Sequence, residues 1–217
     1  MRIKEGKYLV FEGVVKCGKT TQSRLLVRFL QEKLPGTEVI WTREPGGSEI
    51  ADAIRKVVQG TDFAEQMDPV CEQYLYGASR AQTLRQVVRP VVLRGGIVVA
   101  DRSFFSSMAF QGAGRRMGVD RVLEINRPAV GEMWPDRVLF IDTDLAVCME
   151  RRDDSEGDKF ERLGFDFFER VRSGYLDAVC RYGSIARVID GNGSVEAVAE
   201  RVRSSVIEFL HETKLLG

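Results

Sequence analysis

Tyr8-Leu9-Val10-Phe11-Glu12-Gly13-Val14-Val15-Lys16-Cys17-Gly18-Lys19-Thr20 sets the architecture of the chain. Tyr8 to Phe11 is a short apolar run of strand character, and a helical pattern opens at Lys19. Between them, Gly13 to Thr20 fits G-x-x-x-x-G-K-[ST] at every fixed position. The glycines let the backbone curl so that successive N–H groups converge on phosphate oxygens, and the helix N-terminus adds partial positive charge. Lys19 is placed to bridge a β- and a γ-phosphate, and the Thr20 hydroxyl to hold Mg²⁺. The stretch therefore reads as a binding loop for ATP or GTP.

Four more strands are expected around it. Gly96–Ala100, Val138–Ile141 and Ile185–Ile189 are apolar runs, while the more polar Glu38–Trp41 belongs toward an edge. The patterns between them predict helices over 19–33, 48–58, 69–94 (broken or bent before Pro90), 104–112, 118–130, 144–152, 162–182 and 194–215. Apolar strands alternating with helices make an α/β fold, a doubly wound, parallel five-stranded sheet flanked by helices, whose ligands bind at the carboxyl ends of the strands. With about 150 residues per domain as a guide, residues 1–217 read as a single kinase-sized domain. The charged segment at about 151–162, with no apolar period, is expected to be a lid over a bound nucleotide.

Composition excludes several classes. Lys+Arg and Asp+Glu are 32 each, so no global field draws the chain to nucleic acid or to anionic lipid. No apolar run approaches the length that spans a bilayer, and the N-terminal block is too short for a signal peptide, which points to the cytoplasm. Cys17, Cys71, Cys148 and Cys180 are scattered with no C-x-x-C pair, as reduced thiols would be. A single histidine, His211, leaves little room for Ser-His-Asp or Cys-His chemistry. Phosphoryl transfer needs no such residue, because positioning and charge cancellation do most of its work.

A phosphate loop names the donor and leaves the acceptor open. No N-K-x-D guanine-reading motif is suitably placed, and the chain is short for a helicase. Tyr76 and Arg80, four apart, share a helix face, which sets an aromatic ring beside a guanidinium. Gln111 carries both a donor and an acceptor for a base edge. From Arg80 to Arg127 there are nine arginines and three acids, a local cationic excess in a neutral chain. Asp101 ends an apolar strand and is a candidate to act on Mg²⁺ through water; anchoring Arg102 or the phosphate loop is its structural alternative, and Glu12 could do the same from the first strand.

Phe11-Glu12-Gly13, Thr42-Arg43-Glu44-Pro45-Gly46-Gly47, Ser79-Arg80-Ala81-Gln82, Asp101-Arg102, Ala109-Phe110-Gln111-Gly112-Ala113-Gly114 and Asp158-Lys159-Phe160-Glu161 occur in that order. Together they resemble the bacterial thymidylate kinases, over about residues 8 to 210. The resemblance implies transfer of the ATP γ-phosphoryl group to dTMP by a cytoplasmic homodimer using Mg²⁺, giving dTDP for DNA synthesis. It implies that Gly13, Lys16, Cys17, Gly18, Lys19, Thr20, Thr21 and Arg151 bind ATP, with Thr20 and Asp101 toward the metal. It places Tyr76, Arg80, Ser106, Phe110 and Gln111 at the base and sugar, and Phe160 near the sugar 2′ carbon. Arg43, Arg55 and Arg102 surround the acceptor phosphate, in the same set as Glu12 and Glu44. Lys16, Lys19, Asp101 and Arg102 are the implied catalytic residues.

The chain departs from that pattern at Val15, where the family usually has an aspartate that contacts the acceptor sugar and the metal's water shell. Lys16 follows, and since the segment after Arg152 is acidic, Lys16 is expected to supply the charge that other members draw from the lid, with Arg151, Arg152 or Lys159 as alternatives. The residues also allow a kinase for another nucleotide or nucleoside, or a nucleotide-binding protein without turnover.

Overall fold

The computed structural model describes residues 6–60, 63–151, 163–213 and 215. Apart from Arg151, the expected lid lies outside the described residues, and Arg152, Lys159 and Phe160 with it.

Five parallel strands form one sheet in the order β2-β3-β1-β4-β5, where β1 is Lys7–Glu12, β2 Val39–Arg43, β3 Ile97–Asp101, β4 Arg137–Asp142 and β5 Ala186–Asp190. The polar strand β2 is at an edge, as its sequence predicts. Leu9, Val10 and Phe11 of β1, and Val138 to Ile141 of β4, are buried on both faces, which is why they read as unbroken apolar runs. In register, Phe11 lies opposite Asp101, Arg43 opposite Asp101, and Asp142 opposite Asp190. Each strand thus ends its apolar course in a charged residue at the same edge of the sheet. That edge is where a doubly wound sheet binds ligands.

Nine α-helices occur among the described residues: α1 Lys19–Lys33, α2 Glu49–Gln59, α3 Pro69–Thr83, α4 Arg89–Leu93, α5 Phe104–Ser107, α6 Val119–Val130, α7 Leu145–Glu150, α8 Phe165–Arg181 and α9 Val195–Glu212. Ser48, Asp68, Asp144 and Ser194 cap α2, α3, α7 and α9 with side-chain oxygens on free backbone N–H groups. α1 instead starts from Gly18, in the left-handed region at φ 94°, with no side-chain cap. Its first N–H groups remain without a capping side chain beside the phosphate loop.

Two stretches are π-helical, Leu84–Val88 between α3 and α4, and Met108–Gly114 after α5. The break expected before Pro90 is therefore a change of hydrogen-bond register: Arg89 N–H bonds to Leu84 O, five residues back, and the helix then continues. Pro90, which has no N–H to give, stands where the ladder switches. The second π stretch carries Phe110 and Gln111. No helix among the described residues is long and apolar enough to cross a membrane.

Candidate active site

The loop after β1 curls under steric and hydrogen-bonding constraint. A Cβ on Gly13 would sit 2.6 Å from Cys17 Sγ and 2.8 Å from Ile141 O, so no other residue fits there without movement. Lys16 holds a left-handed φ of 58°, an uncommon conformation for a side-chain-bearing residue and one that the surrounding loop must enforce. Thr143 at the end of β4 pins the loop from below, its hydroxyl donating to Cys17 O at 3.0 Å. Lys19 is buried and donates to Val14 O at 3.2 Å. Cys17 is buried against Gly13 and fills a small-residue slot.

A cavity of about 680 Å³ opens above this loop. Lys16, Cys17, Gly18, Lys19, Thr20 and Thr21 line it from α1 and its approach, Arg43, Glu44 and Arg55 from β2 and α2, Asp101 and Arg102 from β3, and Arg151 from the end of α7. Arg151 Nη1 lies 3.4 Å from Lys16 O. Thr20 Oγ1 donates to Asp101 Oδ2, so a hydroxyl and a carboxylate meet at the strand end. Among the described residues no three His, Cys, Asp or Glu side chains gather as a cage for a metal. A pair of hard oxygen donors beside a phosphate loop suits Mg²⁺, which takes one or two carboxylates and fills its shell with water and substrate phosphates.

A second, narrower space of about 40 Å³ branches from the first and is lined by Tyr76, Arg80, Ser106, Phe110 and Gln111. Val15, Glu44, Gln59 and Arg102 line both spaces. The small pocket is held by buried polar side chains. Arg80 is 2% exposed and its Nε donates to Glu44 Oε2 at 2.7 Å. Its Nη1 donates to Ser107 Oγ at 3.2 Å and to Asn126 Oδ1, and its Nη2 to Ser103 O at 2.9 Å. Four of its five N–H groups are thereby committed. Burial pushes the Glu44 carboxyl up, and Arg80 pulls it back.

Arg102 is the junction residue, with a φ of 78° and its own N–H bonded to Phe11 O at 2.9 Å. Nη1 is anchored by Gly13 O and Tyr175 Oη at 2.9 Å and by Ser106 Oγ at 3.1 Å. Its Nε and Nη2 have no protein partner among the described residues. Burial alone would weaken its basicity, but Tyr175, Asp101 and Glu12 hold its pKa above the usual guanidinium value. Arg102 is a fixed cation between the two spaces.

Glu12 lines neither space. Fully buried, it accepts from Ser103 N at 2.7 Å, Ser103 Oγ at 2.8 Å, Ser106 Oγ at 2.6 Å and Tyr175 Oη at 3.0 Å. Burial still pushes its carboxyl up, and Arg102 opposes that rise. It therefore fixes the groups that face the pocket instead of facing it. Arg43 reaches Asp52 Oδ1 at 3.3 Å across half-exposed side chains, a pairing weak enough to yield to a phosphate. Arg55 Nη1 donates to Pro45 O at 2.9 Å.

The family profile described as Thymidylate kinase matches residues 11–202, which takes in every residue of both spaces. The chain belongs to the thymidylate kinase family. It is 42% identical over 212 residues to a Thymidylate kinase of Desulforudis audaxviator, covering 98% of this chain and 95% of that one. A Thymidylate kinase of Pelotomaculum thermopropionicum is 39% identical over 208 residues, with 95% of each chain covered. The crystal structure of thymidylate kinase from Ehrlichia chaffeensis superposes with a TM-score of 0.77 at 25% identity, covering 93% of this chain and 98% of that one.

Sequence reading missed several residues of this thymidylate kinase-family site. Gly191, Gly193 and Ser194, between β5 and α9, and Val195 at the start of α9, line the first cavity, and the carboxyl-edge rule would have found them. Trp41 and Arg24 line it too, with the guanidinium 4.3 Å from the indole ring. Tyr175, Ser103 and Asn126 carry no sequence signal, because their roles depend on which buried polar groups the fold brings to them.

Proposed function

We infer that the protein is a thymidylate kinase that transfers the γ-phosphoryl group of ATP to dTMP, giving dTDP and ADP in the supply of dTTP for DNA synthesis. One observation carries this: a phosphate-loop cavity and the narrow pocket lined by Tyr76, Arg80 and Gln111 share Val15, Glu44 and Arg102 as common walls. The donor's terminal phosphate and the acceptor's phosphate would meet at that shared wall, which is what in-line transfer needs.

The chain's own residues then have distinct tasks. Backbone N–H groups of Gly13 to Thr20, with Thr21 and Arg151, hold the ATP phosphates, and Lys19 gives up its bond to Val14 O to reach them. Lys16, Arg43, Arg55 and Arg102 cancel the charge of two anions brought together, and the guanidinium donors of Arg102 face the transferring oxygens. Tyr76 stacks on the thymine while Arg80, Gln111, Ser106 and Phe110 fix its edge and sugar, and the family resemblance assigns Phe160 to the sugar 2′ carbon. Glu12 and Glu44 hold that machinery in place. Mg²⁺, when bound, supplies charge neutralisation on the phosphates; Thr20 and Asp101 are the residues to hold it, Asp101 through water.

We place residues 1–217 in one kinase unit with a lid at about 151–162, and the enzyme in the cytoplasm as a homodimer. Exposed Ile50 and Val57 on one face of α2, with exposed Tyr74 on the adjoining α3, support a self-association surface. Coupled ADP release with dTMP, dUMP, dCMP, UMP and thymidine tests the activity. Turnover of another acceptor in place of dTMP, or ATP binding with no turnover of any acceptor, contradicts it.

A further inference from the structure

Behind the small pocket lies a buried carboxylate that the mechanism above does not use. Glu72, on α3, is fully buried and lines neither space. Its Oε1 accepts from Gln111 Nε2 at 2.8 Å, and its Oε2 pairs with Arg115 Nη2 at 3.2 Å. Gln111 is 2% exposed and lines the pocket, and its main-chain carbonyl accepts from Met117 N–H at 3.2 Å. We propose that Glu72 is a positioning residue that locks the Gln111 side-chain amide in one orientation, and so makes the pocket read the hydrogen-bonding edge of thymine and reject that of cytosine.

The reasoning is one of donors and acceptors. A primary amide is nearly symmetric in shape, and turning it by 180° exchanges a donor for an acceptor. A glutamine free to turn pairs with either pattern. The carboxylate of an Arg115 ion pair only accepts, so the turned amide would set oxygen against oxygen in a buried site. Gln111 must therefore keep Nε2 toward Glu72, and the order of its donor and acceptor at the pocket is fixed. Arg80, the neighbouring group, offers only N–H donors. Thymine presents O4 as acceptor next to N3–H as donor, whereas cytosine presents an N4 donor next to an N3 acceptor. A locked amide beside a guanidinium matches the first order and leaves unpaired groups against the second. Uracil has thymine's edge, so this lock does not separate dTMP from dUMP.

The inference rests on the small pocket being the thymine site, and the test separates the two. Steady-state kcat/KM is measured on dTMP, dUMP and 5-methyl-dCMP, which shares the methyl group of dTMP, for wild type, Glu72→Gln, Gln111→Leu and the double variant. A carboxamide at position 72 can donate, so Glu72→Gln frees the amide to turn. The preference for dTMP over 5-methyl-dCMP should then narrow tenfold or more, mostly through KM, while dTMP against dUMP stays unchanged. Adding Glu72→Gln to Gln111→Leu should narrow nothing further. An unchanged preference in Glu72→Gln, equal narrowing in both backgrounds, or a parallel shift in the dUMP ratio overturns the lock. A preference indifferent to Gln111→Leu overturns the pocket assignment itself. Should Glu72→Gln melt below the assay temperature, the ratios are measured for it and for wild type at one temperature below its Tm. A narrowing of tenfold or more there supports the lock, and an unchanged ratio overturns it.

Discussion

Thr20 Oγ1 donates to Asp101 Oδ2, tying the first turn of α1 to the carboxyl end of β3. The tie keeps two oxygen donors adjacent before any ligand arrives, so the metal-facing corner needs little rearrangement. Asp101→Ala removes the carboxylate and should lower kcat by roughly 100-fold, about 2.7 kcal/mol, with a raised Mg²⁺ requirement. Mg²⁺ titration of the coupled assay checks it, and an unchanged Mg²⁺ midpoint would show that Asp101 only braces Arg102.

Lys16 lines the phosphate-loop cavity in a strained left-handed conformation. Lys16→Ala should cut kcat tenfold or more, about 1.4 kcal/mol, with KM for ATP and dTMP nearly constant. Lys16→Gly relieves the backbone strain and should lose the same activity, since the charge is what matters. Full activity in either variant hands the role to Arg151 or to the segment beyond it.

Val15 stands where the two spaces join and can make no polar side-chain contact. Val15→Asp should raise kcat/KM for dTMP by restoring an acceptor for the sugar hydroxyl. No gain, or a loss, would mean that another group already fills that position and that a new carboxylate near Glu44 only adds repulsion.

The Tyr175 hydroxyl contacts Glu12 at 3.0 Å, Ser106 at 2.8 Å and Arg102 at 2.9 Å. Tyr175→Phe leaves these buried groups short of a partner. It should cost about 1–3 kcal/mol of stability and weaken dTMP binding through a looser Arg102. Urea unfolding with steady-state kinetics measures both, and a variant unaltered in stability and in KM for dTMP rules the network out.

Burial holds the folded Glu12 carboxyl above its ordinary value of 4.5, against the pull of Arg102. The native state then binds more protons at this site than the unfolded chain, so stability falls as pH rises between the two values. The contribution is full below about pH 4 and lost once pH passes the raised value. Glu12→Gln has no such titration. Its Tm should therefore trail that of wild type by more at about pH 4 than at about pH 7. Paired thermal melts decide, and a gap that widens toward neutral pH contradicts the assignment.

Local signals carried most of the architecture into the sequence. Apolar runs mark β1, β3 and β4 because both faces are covered, and α1 covers Lys19–Lys33 as its pattern predicts. The phosphate loop is legible because its glycines, lysine and threonine act through backbone geometry at fixed spacing. What stayed hidden acts at long range. Tyr175 meets Glu12 across 163 positions, and Gln111 meets Glu72 across 39. Periodicity reports which face of an element is buried, and it is blind to which buried polar group will stand opposite another. The two π stretches were hidden for a related reason, since an α-helical pattern with one extra residue differs from a plain one only when its downstream packing is known.

The π turn at Met108–Gly114 gives the chain an unusual sensitivity to length. Each residue added to or removed from a helix rotates all that follows by about 100°. Deleting one residue ahead of Phe110 would relax the turn into an ordinary helix and swing Phe110 and Gln111 out of the pocket wall, with the phosphate loop untouched. On the proposed assignment of the two spaces, the loss of a single codon would erase the acceptor pocket and leave the phosphate loop's hold on ATP in place.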